Sequence, residues 1–169
     1  VLSDADKDNA VVLNQFENDL NFIVHLKYTA KEIDYQFSSR NIRPSAIISG
    51  IGTSGHLSAL SFYFKNKYGD VKTYGVQPAK GSFIPGIRRV ETGMKWIHLV
   101  KVDDLIDVSL EEAFQTILHV ARNDGILVGL SAGAVLYATK YLVENIGVEG
   151  DIVAVIPDHG IKYVELLEY

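Results

Sequence analysis

The chain has 169 residues, of which 47% are hydrophobic and 22% charged, and these proportions are ordinary for a folded globular protein. A formal net charge of −5 argues against a nucleic-acid-binding surface, and the lack of cysteine excludes disulfides, thiolate metal sites and a cysteine nucleophile. No apolar run approaches the roughly 20 residues that a membrane-spanning helix needs. We therefore expect one cytoplasmic domain over residues 1–169 that binds neither nucleic acid nor membrane.

The first part of the chain predicts a linker, a short extended piece and one helix. Residues 1–10 are polar and acidic, which is typical of a linker, and residues 11–16 favour an extended segment. A helix is predicted from Glu17 onward, because apolar residues then recur at the spacing of one buried helical face. Those residues are Phe22, Leu26, Ala30, Ile33 and Phe37.

The next stretch predicts a strand, a glycine turn and a helix in direct succession. Residues 46–51 are apolar or small and uncharged, which favours a short buried strand, and the residues after position 56 have helical spacing and end in lysines. The turn between them presents backbone N–H groups, hydroxyls and the positive end of a helix dipole, a combination that binds anions such as phosphate. The predicted anion-binding residues are Gly52, Thr53, Ser54, Gly55 and His56. The alternative is an ordinary strand-to-helix turn with no ligand.

The middle of the chain combines predicted strands with an irregular segment. Strands are predicted over residues 71–78 and 98–104, and a capping box of Ser109 with Glu112 predicts the start of a long helix. Residues 79–96 have no clean period, and long irregular segments inside a domain are usually functional or mobile. Glycines, a proline and a pair of arginines mark this segment: Gly81, Pro85, Gly86, Arg88, Arg89 and Gly93.

The last part of the chain predicts two further strands, each followed by a polar turn. Residues 126–130 predict a buried strand before the turn at 131–133, and residues 151–157 predict the last strand before the turn at 158–160. Alternating strands and helices predict an α/β fold, a three-layer, doubly wound and mostly parallel sheet. Ligands bind at the carboxyl ends of the strands in such sheets, so we expect both turns to converge with residues 52–56.

These three turns, in this order and at these distances, resemble the cofactor domain of the cysteine synthase family, the C-terminal domain of a tryptophan synthase β-like fold. Residues 52–56 are similar to the family's G-T-G-G-T turn, residues 129–134 to its G-[IG]-S-[SA]-G-A turn, and residues 157–163 to its P-D-S-G-x-[RK]-Y motif. Residues 14–18 and His25 are also similar to the segment that leads into that domain. The ordered set covers nearly the whole chain.

The resemblance implies that pyridoxal 5′-phosphate is the cofactor. It assigns the cofactor phosphate to residues 52–56 and the pyridine nitrogen to the hydroxyl of Ser131. Two residues depart from the family pattern, since Ser54 replaces a glycine and His56 replaces a threonine. The first departure changes the backbone angles open to the turn, and the second exchanges a hydroxyl for an imidazole. A neutral hydroxyl at Ser131 leaves the ring nitrogen mostly unprotonated, which the resemblance links to β-elimination and β-replacement.

Residues 79–96 correspond to the part of the family that closes over the substrate. The string IPGIRRVETG resembles the archaeal branch that uses O-phosphoserine, and typical O-acetylserine enzymes lack its arginine pair. Arg88 and Arg89, together with Gly86, are therefore the predicted substrate-binding residues, because a guanidinium can donate two parallel hydrogen bonds to a phosphate. The alternative is that both arginines are solvated surface residues.

The resemblance implies a cysteine synthase, a transferase that is usually a homodimer and joins an activated serine, O-phosphoserine or O-acetylserine, to sulfide. The family's Schiff-base lysine and its Ser/Thr-Ser-Gly-Asn loop lie in an N-terminal half, and no lysine of this chain has a matching context. We therefore expect the chain to be the C-terminal part of a longer enzyme, with no catalytic residue of its own.

Three other functions stay open at this point. A cystathionine β-synthase-like enzyme would share the same motifs, and so would a non-catalytic binding module of the same fold. Metal chemistry by the five histidines is the third, but no pair of them has ligand spacing on a helix, so we predict no metal site.

Overall fold

An all-parallel sheet of four strands forms the centre of the protein, in a computed structural model that describes residues 10–166. The strands are β1 (Ala46–Gly50), β2 (Lys72–Pro78), β3 (Asp104–Val108) and β4 (Ile152–Ala154). Their order is β3-β2-β1-β4, and Ile48 of β1 lies opposite Tyr74 of β2 and Ala154 of β4. The predicted mostly parallel α/β fold is confirmed. The predicted linker over residues 1–10 lies outside the described residues, apart from residue 10.

Helices cover both faces of the sheet. They are α1 (Leu20–Val24), α2 (Ala30–Ser38), α3 (Gly55–Tyr68), α4 (Leu110–Asp124) and α5 (Leu130–Tyr141). A π-helical turn, His25–Thr29, joins α1 to α2, and a second one, Leu142–Ile146, extends α5. Short 3₁₀ helices are Val90–Thr92, Ile97–Leu99 and Gly160–Leu166. None of the helices in the described part of the chain has the length and apolar character that crossing a membrane requires.

The core has two layers because successive residues of β1 point to opposite faces of the sheet. Ile48 packs in the cluster that contains Val135 of α5, and Ile47 packs in the cluster that contains Phe64 of α3. All five residues of β1 are buried, which places this strand at the centre of both layers. The carboxyl end of β1 is therefore held by packing on two sides.

The helix α4 begins as its sequence predicts. Ser109 and Glu112 form a capping box, in which the Glu112 N–H donates to the Ser109 Oγ at 3.2 Å and the Ser109 N–H donates to the Glu112 carboxylate at 2.7 Å. The Tyr137 hydroxyl of α5 donates to the same carboxylate at 2.6 Å. One glutamate thus caps α4 and joins it to α5.

Two predicted strands are wrong. Residues 126–130 form no strand, because Leu130 already begins α5 and only Val128 pairs, in an isolated antiparallel bridge with His159. A short apolar run before a glycine turn does not distinguish a buried strand from a buried approach to a helix. The strand predicted over residues 98–104 begins only at Asp104 and runs to Val108.

Other predicted bounds shift by a few residues. The first helix begins at Leu20 instead of Glu17, because the Asn18 side chain accepts a hydrogen bond from the Leu20 N–H at 3.0 Å and holds a turn before the helix. The predicted extended segment over residues 11–16 ends in a turn at residues 15–17, and β4 is shorter than the predicted strand over residues 151–157.

Candidate functional site

A cavity of about 310 Å³ lies at the carboxyl end of β1. Four short segments line it, and they come from the end of β1 and the start of α3, the irregular segment, the start of α5, and the stretch after β4. The lining residues are Ser49, Gly50, Gly52, Thr53, His56, Pro85, Gly86, Ile87, Ser131, Val155, Pro157, Asp158, Lys162 and Tyr163. The three polar turns singled out in the sequence therefore meet at one place.

Two glycines bring the backbone of the 52–56 turn against the irregular segment. A Cβ atom on Gly52 would lie 2.7 Å from the carbonyl oxygen of Gly86, so no other residue fits at position 52 without a backbone shift. Gly86 itself has φ +89°, a conformation that favours glycine. The close approach forms one wall of the cavity.

Ser54 has a left-handed backbone, with φ +73° and ψ −12°. Its hydroxyl is buried, and among the described residues it has no hydrogen-bond partner; the same is true of Ser58 one turn later. Both features are costly for a serine. A Cβ atom disfavours the left-handed conformation, and a buried hydroxyl normally finds a hydrogen-bond partner. Ser54 and Gly55 do not line the cavity.

Gly55 packs against α1. A Cβ atom on Gly55 would lie 2.1 Å from the Asn21 Oδ1, so the side chain of Asn21 occupies that space. The Asn21 amide donates to the Thr53 Oγ1 at 3.1 Å, and the same oxygen accepts the Gly55 N–H at 3.3 Å. The segment before α2 thus fixes the hydroxyl of Thr53 at the edge of the cavity.

His56 connects the cavity to a second histidine. Its Nε2 forms a short hydrogen bond with the Ser49 hydroxyl, and its ring packs edge-on against the ring of His25, with 5.5 Å between centroids. Burial, together with the charge that His25 can carry, lowers the pKa of His56 to about 4. The His25 Nδ1 lies 3.0 Å from the Thr29 Oγ1, and burial also lowers the pKa of His25. His56 is therefore neutral at pH 7.

Ser131 faces an acidic residue of the stretch after β4. It is buried, and its hydroxyl donates to the Asp158 Oδ1 at 3.3 Å, while Lys162 pairs with the Asp158 Oδ2 at 2.8 Å. The turn holding Asp158 packs tightly on Gly129, because a Cβ atom there would lie 2.2 Å from the carboxylate.

The two predicted substrate arginines point to different places, and neither lines the cavity. The Arg88 Nε donates to the Gly52 carbonyl at 3.1 Å, and its guanidinium lies 4.4 Å from the centroid of the Phe16 ring. Arg89 instead donates to the Asp107 carboxylate at 2.9 Å and forms a two-bond pair with Glu91, at 3.0 and 3.2 Å. Arg89 thus binds the edge of the sheet.

A second cavity, of about 450 Å³, lies beside the first, and Thr53 lines both. Arg88 and Lys95 provide two cations on its wall, and Lys95 pairs with Asp19 at 2.9 Å. Hydrogen bonds from Lys95 and Trp96 lower the pKa of Asp19. The predicted substrate residue Arg88 therefore lies next to the 52–56 turn, in the adjoining cavity.

Several lining residues were not predicted as site residues. Asp158, Lys162 and Tyr163 belong to the motif over residues 157–163 that carried the resemblance, so the motif itself was the missed signal. Ser49 also had a signal, because a serine stood near the end of an otherwise apolar strand. Ile87 and Val155 give no sign in the sequence that separates them from core residues.

The family model described as "Pyridoxal-phosphate dependent enzyme" matches residues 2–158. The chain belongs to this family. The match includes the 52–56 turn, the turn around Ser131 and the first residues of the stretch after β4. Pyridoxal phosphate is accordingly the cofactor that this family uses.

The curated relatives include several cysteine synthases. The chain is 34% identical to cysteine synthase B of Pseudomonas aeruginosa over 155 residues, which are 90% of this chain and 50% of the relative. It is 30% identical to a cysteine synthase of Staphylococcus aureus over 159 residues, 89% of this chain and 51% of the relative. The chain spans about half the length of the curated relatives it matches.

Solved structures share the fold. O-acetylserine sulfhydrylase isoform 3 from Entamoeba histolytica superposes with a TM-score of 0.80 at 28% identity, over 97% of this chain and 51% of that one. A hydrogen sulfide-producing enzyme from Fusobacterium nucleatum gives a TM-score of 0.82 at 29% identity, over 96% of this chain and 58% of that one. The fold is therefore that of fold-type II pyridoxal-phosphate enzymes.

Proposed function

We propose that the chain is the cofactor-holding, C-terminal part of a pyridoxal-phosphate-dependent cysteine synthase, a transferase that replaces the leaving group of an activated serine with sulfide. The observation that carries the proposal is the convergence of three polar turns on one cavity at the end of β1. The similarity to cysteine synthases at 30–34% identity supports the reaction type.

The residues at the cavity fit a cofactor that carries a phosphate. The first N–H groups of a helix have no partner within the helix, and the start of α3 contributes His56 to the lining while the turn before it contributes Thr53. A volume of about 310 Å³ also suits a small ligand.

Each cofactor contact has its own role in this proposal. Gly52, Thr53 and His56 hold the phosphate, with His56 contributing its backbone N–H at the start of α3 while its neutral imidazole bonds to the Ser49 hydroxyl and adds no charge. Ser54 and Gly55 shape the turn from behind. Ser131 contacts the pyridine ring nitrogen. The bound cofactor supplies an electron sink for the carbanion that β-replacement requires.

For the substrate, we propose O-phosphoserine with Arg88 as its phosphate-binding residue. Arg88 lies beside the 52–56 turn, and Gly86 lines the cavity between them. A phosphate carries nearly two negative charges at neutral pH, and a guanidinium binds it better than an ammonium does. Because the guanidinium of Arg89 already pairs with Asp107 and Glu91, we assign substrate binding to Arg88 alone of the two arginines.

The second candidate is a non-catalytic binding module. The lysine among the cavity-lining residues is Lys162, which pairs with Asp158, and that pair raises the pKa of Lys162. Because Lys162 is paired and no other described lysine lines this cavity, we propose that the Schiff-base lysine of the enzyme lies outside the described residues. The homodimer and the cytoplasmic location stay predictions. The assignment of residues 1–169 to one domain stays a prediction as well.

The test is cysteine formation by the protein as its source organism makes it, with sulfide and either O-phosphoserine or O-acetylserine. Turnover with pyridoxal phosphate supports the enzyme, and cofactor binding without turnover supports the binding module. At saturating pyridoxal phosphate, Arg88→Ala should raise the KM for O-phosphoserine roughly ten- to a hundredfold and leave that for O-acetylserine unchanged. Equal losses for both substrates would contradict the O-phosphoserine assignment, and Arg89→Ala is the matched control.

A further inference from the structure

The side chain of Asn21, in α1, joins the turn before this helix to the 52–56 turn. Its amide nitrogen donates one N–H to the Gln15 carbonyl at 2.9 Å and the other to the Thr53 Oγ1 at 3.1 Å. A carbonyl oxygen can only accept a hydrogen bond, so the contact with Gln15 fixes which end of the amide is the nitrogen. Both N–H groups of Asn21 are therefore in use, and one of them is held on Thr53.

These bonds determine what the hydroxyl of Thr53 can still do. A threonine hydroxyl has one proton to donate and two lone pairs with which to accept. One lone pair accepts from Asn21, and the other accepts the Gly55 N–H at 3.3 Å. The remaining proton has the Asn21 Oδ1 as an acceptor at 3.4 Å, which is long for a bond between two oxygens. A phosphate oxygen in the cavity would be a stronger acceptor, because it is charged.

We propose that Asn21 is a positioning residue that acts through Thr53, because it occupies a lone pair of the hydroxyl and leaves the proton for an oxyanion. The inference rests on the proposed function, since it needs a phosphate at the 52–56 turn. Thr53 lines the cavity, so its proton can reach a ligand there. A phosphate dianion offers acceptors alone and suits this hydroxyl, whereas a ligand that presents a donor at the same point does not.

Packing keeps Asn21 in this position. The space that a Cβ atom would take on Gly55 is filled by the Asn21 Oδ1, which lies 2.1 Å from that point. The ring of the next residue, Phe22, packs edge-on against the ring of Phe62 in α3, with 6.2 Å between centroids. The helix α1 is thus seated on α3, and the amide cannot turn away from Thr53 without losing its bond to the Gln15 carbonyl.

The test is a double-mutant cycle on this chain, with inorganic phosphate as the ligand and isothermal titration as the measurement. Thr53→Val removes the hydroxyl and keeps the shape of the side chain, and Asn21→Leu removes the amide but keeps a branched side chain over Gly55. Thr53→Val should lower phosphate affinity about tenfold, and Asn21→Leu about three- to tenfold. The double variant should bind no more weakly than Thr53→Val alone, because Asn21 has no hydroxyl left to act on.

Asn18→Ala is the matched control from the same turn. The Asn18 side chain accepts the Leu20 N–H at 3.0 Å, so its loss should lower the stability of the chain and leave its phosphate affinity unchanged. If Asn21→Leu does not fold, Asn21→Ala completes the same cycle, because it places no atom beyond Cβ near Gly55.

Losses that multiply in the double variant would overturn the inference and leave the proposed function standing, since Asn21 would then affect the site by packing alone. An Asn21 variant that binds phosphate as tightly as the wild type would overturn it as well. Failure of the wild-type chain to bind inorganic phosphate would overturn the proposed function, and the inference with it.

Discussion

The Nε of Arg88 donates a hydrogen bond of 3.1 Å to the carbonyl oxygen of Gly52. The Arg88 N–H also donates to the Ile51 carbonyl at 2.7 Å, so the irregular segment is bonded to the chain on which the 52–56 turn begins. Arg88 therefore supports the shape of the proposed phosphate site in addition to the charge that it brings.

Arg88→Ala should lower both the stability of the chain and its affinity for pyridoxal phosphate. The change removes a side-chain bond to the backbone of the turn, and a hydrogen bond from a charged group contributes about 1.5–3 kcal/mol. Chemical denaturation and isothermal titration measure the two effects. Arg89→Ala is the matched control, since it breaks pairs with Asp107 and Glu91 and should change stability alone. Equal loss of affinity in both variants would contradict the role given to Arg88.

Ser54→Gly should stabilise the protein by about 1 kcal/mol, because glycine removes the cost of a left-handed backbone at φ +73° and also the unpartnered hydroxyl. The higher chain entropy of glycine in the unfolded state offsets part of this gain. Thermal unfolding should show a rise in Tm of about 2–4 °C.

Ser54→Ala separates the two causes, because it removes the hydroxyl and keeps the strained backbone. Because Ser54 does not line the cavity, both variants should keep the phosphate affinity of the wild type, and only the glycine variant should gain fully in stability. A loss of phosphate affinity in both variants would contradict this placement and show that the Ser54 hydroxyl binds the ligand.

The sequence allowed the order of the turns to be predicted, but not which residues of each turn reach the cavity. The motif placed Gly55 in the phosphate site. In the structure, the absence of a side chain at Gly55 leaves room for Asn21 of α1. That requirement comes from a residue more than thirty positions away in the chain, which no local pattern reports. The sequence likewise predicts the same role for the two adjacent arginines. Their roles differ in the structure because Arg89 pairs with Asp107 of β3, whereas Arg88 bonds to Gly52.

Lowering the pH from 7 to 4 should destabilise the protein through His56. Its pKa is about 4 in the folded protein and near 6.5 in the unfolded chain, so between these values the unfolded chain binds more protons and stability falls as pH falls. The contribution is at most about 3 kcal/mol, present in full above pH 6.5. His56→Thr should flatten the dependence of the free energy of unfolding on pH over this range. Identical pH profiles for wild type and His56→Thr would contradict the half-buried, neutral imidazole.

Gly52→Ala should abolish phosphate binding at the cavity. The added Cβ would lie 2.7 Å from the Gly86 carbonyl oxygen, so one backbone segment must move and the wall of the cavity moves with it. Gly81→Ala is the control, in the irregular segment that also holds Gly86. Gly81 has φ +80°, but nothing lies within 4 Å of its Cβ position. Titration with inorganic phosphate should show a loss of affinity for Gly52→Ala and normal affinity for Gly81→Ala. A loss of affinity in both variants would show that general destabilisation of the irregular segment is the cause.

Amide chemical-shift mapping of this chain by NMR, titrated with inorganic phosphate and then with pyridoxal phosphate, tests the proposed site most directly. Both ligands should shift the backbone N–H signals of residues 52–56, and pyridoxal phosphate alone should also shift those around Ser131. Binding should be weak for both, because the proposed covalent lysine is supplied from elsewhere. Shifts confined to other parts of the protein, or none at 52–56 at saturating ligand, would contradict the assignment of this cavity as the cofactor site.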